Sequence, residues 1–82
     1  MAIFVPHSNL AKLLGAGELQ STAATVGALL DEMSARVSPV DWAKACKATV
    51  LVNGRNANSL KGRSTKLAAE DEVWMVFPAA GG

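Results

Sequence analysis

Residues Val73 to Phe77 read Val-Trp-Met-Val-Phe, an unbroken apolar run that Pro78 stops. A strand apolar at every position is usually central in its sheet and covered on both faces. In a chain of 82 residues, one such strand dictates most of the plan. Other strands must flank it, and a helix must lie across it. A domain this small buries only about 60% of the surface its unfolded chain exposes. One modest core is expected, without a second lobe or a deep cleft.

The covering helix is legible. Thr25 is a good N-cap residue. Val26, Leu29, Leu30, Met33 and Val37 follow at i, i+3, i+4, i+7 and i+11, one face of a 3.6-residue period. Four large side chains on that face contribute roughly 6–12 kcal/mol on burial, before entropy is counted. Gly27 in the first turn costs up to about 1 kcal/mol, so the helix is expected to form. Pro39 ends this segment. Asp41 is placed to cap a short second helix through Trp42, Ala45 and Cys46.

The remaining elements follow from β propensity and turn residues. Ala2 to Val5, stopped by Pro6, reads as a first strand. His7 to Gly17, with Ser8, Asn9, Gly15 and Gly17, reads as a loop or irregular hairpin connection. Glu18 to Thr22 suits a short edge strand around Leu19. Ala48 to Val52 is rich in β-branched residues and reads as a strand, and Asn53-Gly54 after it is a hairpin turn signal. Arg55 to Lys66 is polar and holds at best one short strand, and Leu67 to Ala69 suits a turn of helix. The order fits an α+β fold: a mixed sheet of four to five strands, one main helix on one face, and one short helix. The domain is expected over residues 1–78, with a flexible tail over 79–82.

Composition removes several function classes. Eight Lys and Arg face seven Asp and Glu, a formal net charge of +1. That balance gives no electrostatic case for nucleic acid or an anionic membrane as partner. No stretch approaches the ~18 apolar residues of a spanning helix, and the N-terminus lacks the basic segment of a signal peptide, so a soluble cytoplasmic protein is expected. Cys46 is the only cysteine and His7 the only histidine. They exclude an internal disulfide and a Cys-rich metal site, and no metal site is expected. Cys46 is expected in or near the core, as free cysteines commonly are. The loose basic run Arg55, Lys61, Arg63 and Lys66 reads as a solvated loop or as a surface for an acidic partner rim. Paired carboxylates beside a base and phosphate-binding glycine loops are both missing from the sequence.

The unusual feature is where the apolar run leads. It passes into Pro78-Ala79-Ala80-Gly81-Gly82, and the sequence closes there. Glycine has no Cβ, so Gly81-Gly82 suits a channel too narrow for other residues. Five residues reach about 17 Å when extended, enough to deliver a carboxyl into another protein's active site. Pro78 stiffens the exit. Two terminal glycines also arise by chance in about one chain in two hundred, so the pair gains weight only from the strand and the element order before it.

At these residues the chain resembles a known family. Leu67-Ala68-Ala69-Glu70-Asp71-Glu72-Val73 and Phe77-Pro78-Ala79-Ala80-Gly81-Gly82 are similar to the C-terminal signature of the MoaD/ThiS sulfur carriers. Val50-Leu51-Val52-Asn53-Gly54 is similar to that family's middle strand. The implied fold is the ubiquitin-like β-grasp. The family usually has glycine where Glu70 stands, so a different turn is expected there. Relatives often carry three residues between the proline and the glycine pair; Ala79 and Ala80 are two, which shortens the reach by about 3.5 Å.

The resemblance implies a mechanism. A partner adenylyltransferase related to ubiquitin-activating enzymes adenylates the Gly82 carboxylate, using ATP and Mg. The carboxylate becomes a thiocarboxylate and donates its sulfur. The chain itself is then a carrier, not an enzyme, with no cofactor of its own. Length and the Phe77-Pro78 ending most resemble the small subunit of molybdopterin synthase, whose tail enters a larger catalytic subunit during molybdenum cofactor synthesis. The alternatives are a carrier for thiamine or cysteine synthesis, a ubiquitin-like protein modifier, and a non-covalent β-grasp binding module. For the docking surface, alternation along the last strand puts Val73, Met75 and Phe77 on one face and Trp74 and Val76 on the other. One face must meet the helix stripe, and the other is left partly open for a partner. Phe77, Met75 and Arg55 are the partner-binding candidates.

Overall fold

The computed structural model describes residues 1–77. Eight regular elements follow one another: β1 (Ala2–Val5), α1 (Ser8–Leu14), β2 (Leu19–Ser21), α2 (Val26–Ser34), α3 (Pro39–Ala45), β3 (Thr49–Val52), β4 (Arg55–Asn56) and β5 (Glu72–Val76). Two 3-10 turns, Ala57–Ser59 and Gly62–Ser64, lie between β4 and β5. The strands form one mixed sheet in the order β2-β1-β5-β3-β4. β5 is central, as its apolar run requires. It runs parallel to β1, with Phe4 beside Val73, and antiparallel to β3, with Val50 beside Met75. The architecture is the α+β, ubiquitin-like β-grasp.

α2 supplies the covering layer. Thr25 Oγ1 accepts a hydrogen bond from the Ala28 amide at 3.1 Å and starts the helix. Val26, Leu29 and Met33 are buried against Phe4, Val73 and Met75 from the sheet, and Leu10 joins the same core. Leu30 packs at the margin. The helix stops at Ser34, so Val37 reaches the core from the following segment and not from the helical stripe. Gly27 has its own explanation. A Cβ there would lie 3.0 Å from the Arg63 carbonyl oxygen, so glycine lets the Gly62–Ser64 turn close onto α2. Arg63 completes that closure, donating to Asp31 Oδ1 at 2.8 Å and to the Gly27 carbonyl at 3.3 Å.

Four local expectations need correction. The segment after Pro6 is helical, not a loop. His7 Nδ1 accepts from the Leu10 amide at 3.2 Å, Leu10 is fully buried, and Gly15 ends α1 at φ 77° with its amide bonded to the Ala11 carbonyl. The i,i+4 pair Leu10 and Leu14 and the Gly15 stop were the available signals; histidine as the cap hid the start. α3 begins earlier than Asp41. Ser38 caps it, accepting from the Asp41 amide at 3.1 Å, and Pro39 opens the helix, where its missing N–H costs nothing. Cys46 is exposed, because it sits at the C-terminal end of α3, while Ala45 takes the buried position. Leu67 to Ala69 is not helical: the Leu67 amide bonds to the Ala24 carbonyl at 2.8 Å, the isolated bridge Thr25–Lys66 precedes it, and Ala69 already belongs to the turn into β5.

The turn into β5 is built as though it held glycine. Glu70 lies at φ 74°, in a turn closed by the Asp71 amide on the Ala68 carbonyl at 3.2 Å. The sequence departure therefore leaves a glycine-type turn in place, occupied by a residue that strains in it. A left-handed conformation costs a non-glycine residue roughly 1–2 kcal/mol, and glycine loses up to about 1 kcal/mol more chain entropy on folding. Glu70→Gly is expected to raise stability by about 0.5–1 kcal/mol, read as a higher urea midpoint with an unchanged denaturant slope.

Asp71 and Asn53 fasten this turn to the β3–β4 hairpin. Asp71 accepts from the Ala68 amide at 2.8 Å and from the Asn53 side-chain amide at 3.1 Å; Asn53 Oδ1 accepts from the Glu72 amide at 3.0 Å. The Ala68 amide first, and the Asn53 amide second, hold the Asp71 carboxyl below its ordinary range. The start of the strand that leads to the tail is thus pinned by two side chains that meet at the same end of the sheet, one just after β3 and one just before β5.

Candidate functional site

Helix α2 covers one face of the sheet, so the other is decided by strand alternation. Val73 and Met75 point into the core and Trp74 points out. Register then sets Val5 and Leu51 on either side of Trp74. Ile3 and Val76 extend the same face one step along their strands. All four neighbours are half-buried, and Trp74 is 42% exposed. The apolar run is central in the sheet but not covered on both faces. Five apolar side chains form an open patch, of the kind that marks a contact surface. Trp74 Nε1 donates to Glu72 Oε1 at 3.1 Å, which satisfies the indole while its face stays free.

β5 ends at Val76, and Phe77 follows at the rim, 49% exposed. Its ring lies 4.3 Å from the His7 imidazole, tilted by 42°. Around this pair is a groove of about 310 Å³, lined by Leu13 and Ala45 and rimmed by Lys12, Lys44 and Asp41. α1 and α3 build it, so the helix that sequence patterning missed is the one that shapes the root of the tail.

The expected site residues separate into three groups. Phe77 is exposed at the tail root, as a contact residue must be. Met75 is not available: it is 1% exposed and belongs to the core, because its alternation places it under α2. Arg55 is exposed on β4, but it pairs with Val52, which pairs with Val73 at the start of β5. It therefore stands at the end of the sheet away from Phe77, and the structure does not bring the two together. Pro78, Ala79, Ala80, Gly81 and Gly82 lie outside the described residues. The contact residues that sequence reasoning underweighted are Trp74, Val5 and Leu51. Trp74 was visible in the alternation; its neighbours needed the register.

Among the described residues, no group of three or more His, Cys, Asp or Glu is placed to hold a metal ion, and no helix is long and apolar enough to cross a membrane. Among the described residues, the geometry offers an open face and a rim.

A family model described as the ThiS family matches residues 7–82. A comparison with curated protein sequences finds no match. Among solved structures, the small archaeal modifier protein 1 from Methanosarcina acetivorans is similar with a TM-score of 0.80 at 23% identity, over 99% of this chain and 95% of that one. CysO from Mycobacterium tuberculosis is similar with a TM-score of 0.79 at 17% identity, over 96% and 100%. A chain of the BexX/CysO complex from Amycolatopsis orientalis gives 0.78 at 18% identity, over 100% of both. Identities this low speak to the fold, and the fold they share is the one described above. The family model adds the lineage: the chain belongs to the ThiS family of small ubiquitin-like sulfur-carrier proteins.

Proposed function

We propose that this protein carries sulfur on its Gly82 carboxyl. The observation that carries the reading is the family match, which runs through the Gly81-Gly82 pair. A carboxylate is a poor acyl donor because oxide is a poor leaving group. A partner adenylyltransferase joins it to the α-phosphate of Mg-ATP and releases pyrophosphate. A sulfide-level nucleophile then attacks the acyl carbon, the bond to AMP breaks, and AMP leaves with the electron pair. The product is a Gly82 thiocarboxylate, nucleophilic near neutral pH and tethered, so it meets its acceptor at high effective concentration. ATP and Mg act in the partner's site, and this chain holds no cofactor of its own. Intact mass of chain recovered with its activating enzyme tests the reading: one oxygen replaced by sulfur is expected.

The acceptor pathway we favour is molybdopterin synthesis, with a larger catalytic subunit receiving the tail. The support is the Phe77-Pro78 ending and the chain length. The BexX/CysO complex supports the general point that a protein of this fold works seated on a partner. A second reading is favoured by the likeness to a small archaeal modifier protein: activated Gly82 passed to a lysine of another protein. That reading predicts a reductant-resistant ladder of conjugates on immunoblots instead of the sulfur-bearing free chain.

The open sheet face is the docking surface in this proposal. Trp74→Ser removes its largest exposed side chain without opening the core. At a hot spot worth about 2 kcal/mol, the activating enzyme's KM for this carrier should rise roughly 30-fold. kcat and the urea midpoint should stay near wild type.

A further inference from the structure

His7 ties three segments together. Its Nδ1 faces the Leu10 amide at 3.2 Å. That amide can only donate, so Nδ1 must be the bare, accepting nitrogen. A neutral ring then carries its proton on Nε2, and Nε2 faces the Ala45 carbonyl oxygen of α3 at 3.4 Å. The face of the same ring packs on Phe77, with centroids 4.3 Å apart. One tautomer satisfies α1 and α3 together and leaves the ring lying against the residue that leads into the tail.

We propose that His7 is a positioning residue that holds Phe77, and with it the root of the tail, and that protonation of its imidazole releases this hold. A second proton must go to Nδ1. The nitrogen then changes from acceptor to donor and meets the Leu10 N–H head on, so the ring has to leave the cap. Once the ring turns away, Phe77 loses its packing partner and the Ala45 contact loses its geometry. The charged side chains that line the same groove as the ring are Lys12 from α1 and Asp41 and Lys44 from α3; among the described residues, the sheet side of that groove is lined by Phe77 and no charge. The proposal goes beyond sulfur transfer and holds whatever chemistry Gly82 carries.

An NMR titration of the full chain from pH 8 to pH 5 tests it. His7 is the only histidine, and Phe4, the other phenylalanine, is fully buried and serves as an internal control. The His7 imidazole, the Leu10 amide and the Phe77 ring are expected to shift with one shared midpoint, while the Phe4 ring stays still. In H7N, which keeps an acceptor at the cap, the Phe77 ring should no longer titrate. A Phe77 ring that stays unmoved while His7 protonates, or that follows a different midpoint, overturns the proposal, as does a Phe77 titration that survives in H7N. The wild-type titration alone decides the matter should H7N not fold.

Discussion

Deleting Gly82, or adding a single residue after it, is expected to reduce thiocarboxylate formation below detection while leaving the fold intact. The reacting atoms in the proposed function are the Gly82 carboxyl itself, so no neighbouring group offers a residual route. Deletion leaves Gly81 as the new end, about 3.5 Å short of the partner's reacting centre. Misplacement by even 1 Å typically costs about 100-fold in such steps. An added residue turns the carboxyl into an amide and brings a Cβ into a space fitted to glycine. The check pairs an ATP–pyrophosphate exchange assay with the activating enzyme and intact mass. Circular dichroism and the urea midpoint should match wild type, since the core cluster among the described residues runs from Phe4 to Met75. Undiminished sulfur loading in either variant would remove the proposed chemistry, and the non-covalent binding module would then be the better account.

Phe4→Ala is expected to cost about 3–5 kcal/mol, the largest stability loss from a single substitution in this chain. Phe4 is fully buried on β1, beside Val73 in the register and in the cluster with Leu29, Met33 and Met75. Nothing nearby is free to fill the void, because the sheet fixes one side and α2 the other. A domain of this length commonly holds only about 4–12 kcal/mol. The variant should therefore unfold at a small fraction of the wild-type urea midpoint, or be partly unfolded in buffer. A loss under about 1 kcal/mol would mean that the core is looser than its burial implies.

How much of this was legible in the sequence depended on whether a signal was local. α2 was readable because Thr25 caps it and its apolar side chains repeat at helical spacing. β5 was readable because its run of five apolar residues has no other good use in so short a chain. α1 was not, because histidine is outside the usual capping set and the helix is stabilised largely by burying Leu10. Cys46 was misplaced because composition averages say where cysteines usually go, while the last turn of α3 decides where this one goes. Alternation separates Met75 from Trp74, but only the position of α2 decides which of the two faces is buried and which is open for docking. Val5 and Leu51 become neighbours of Trp74 only through strand register, a relation across 69 positions for Val5 and 23 for Leu51 that no short window contains.

The placement of β5 between β1 and β3 also bears on how the molecule is made. Residues 2–5 and 49–52 find no partner in each other; both wait for residues 72–76 to slot between them. Such distant pairing folds slowly compared with local contacts, and on a ribosome it must wait until β5 has cleared the exit tunnel. Nascent or prematurely stopped chains lack the sheet's middle and expose strand edges on both sides. The order of synthesis thereby guards against half-built molecules: one that has assembled its sheet has already been translated past residue 76.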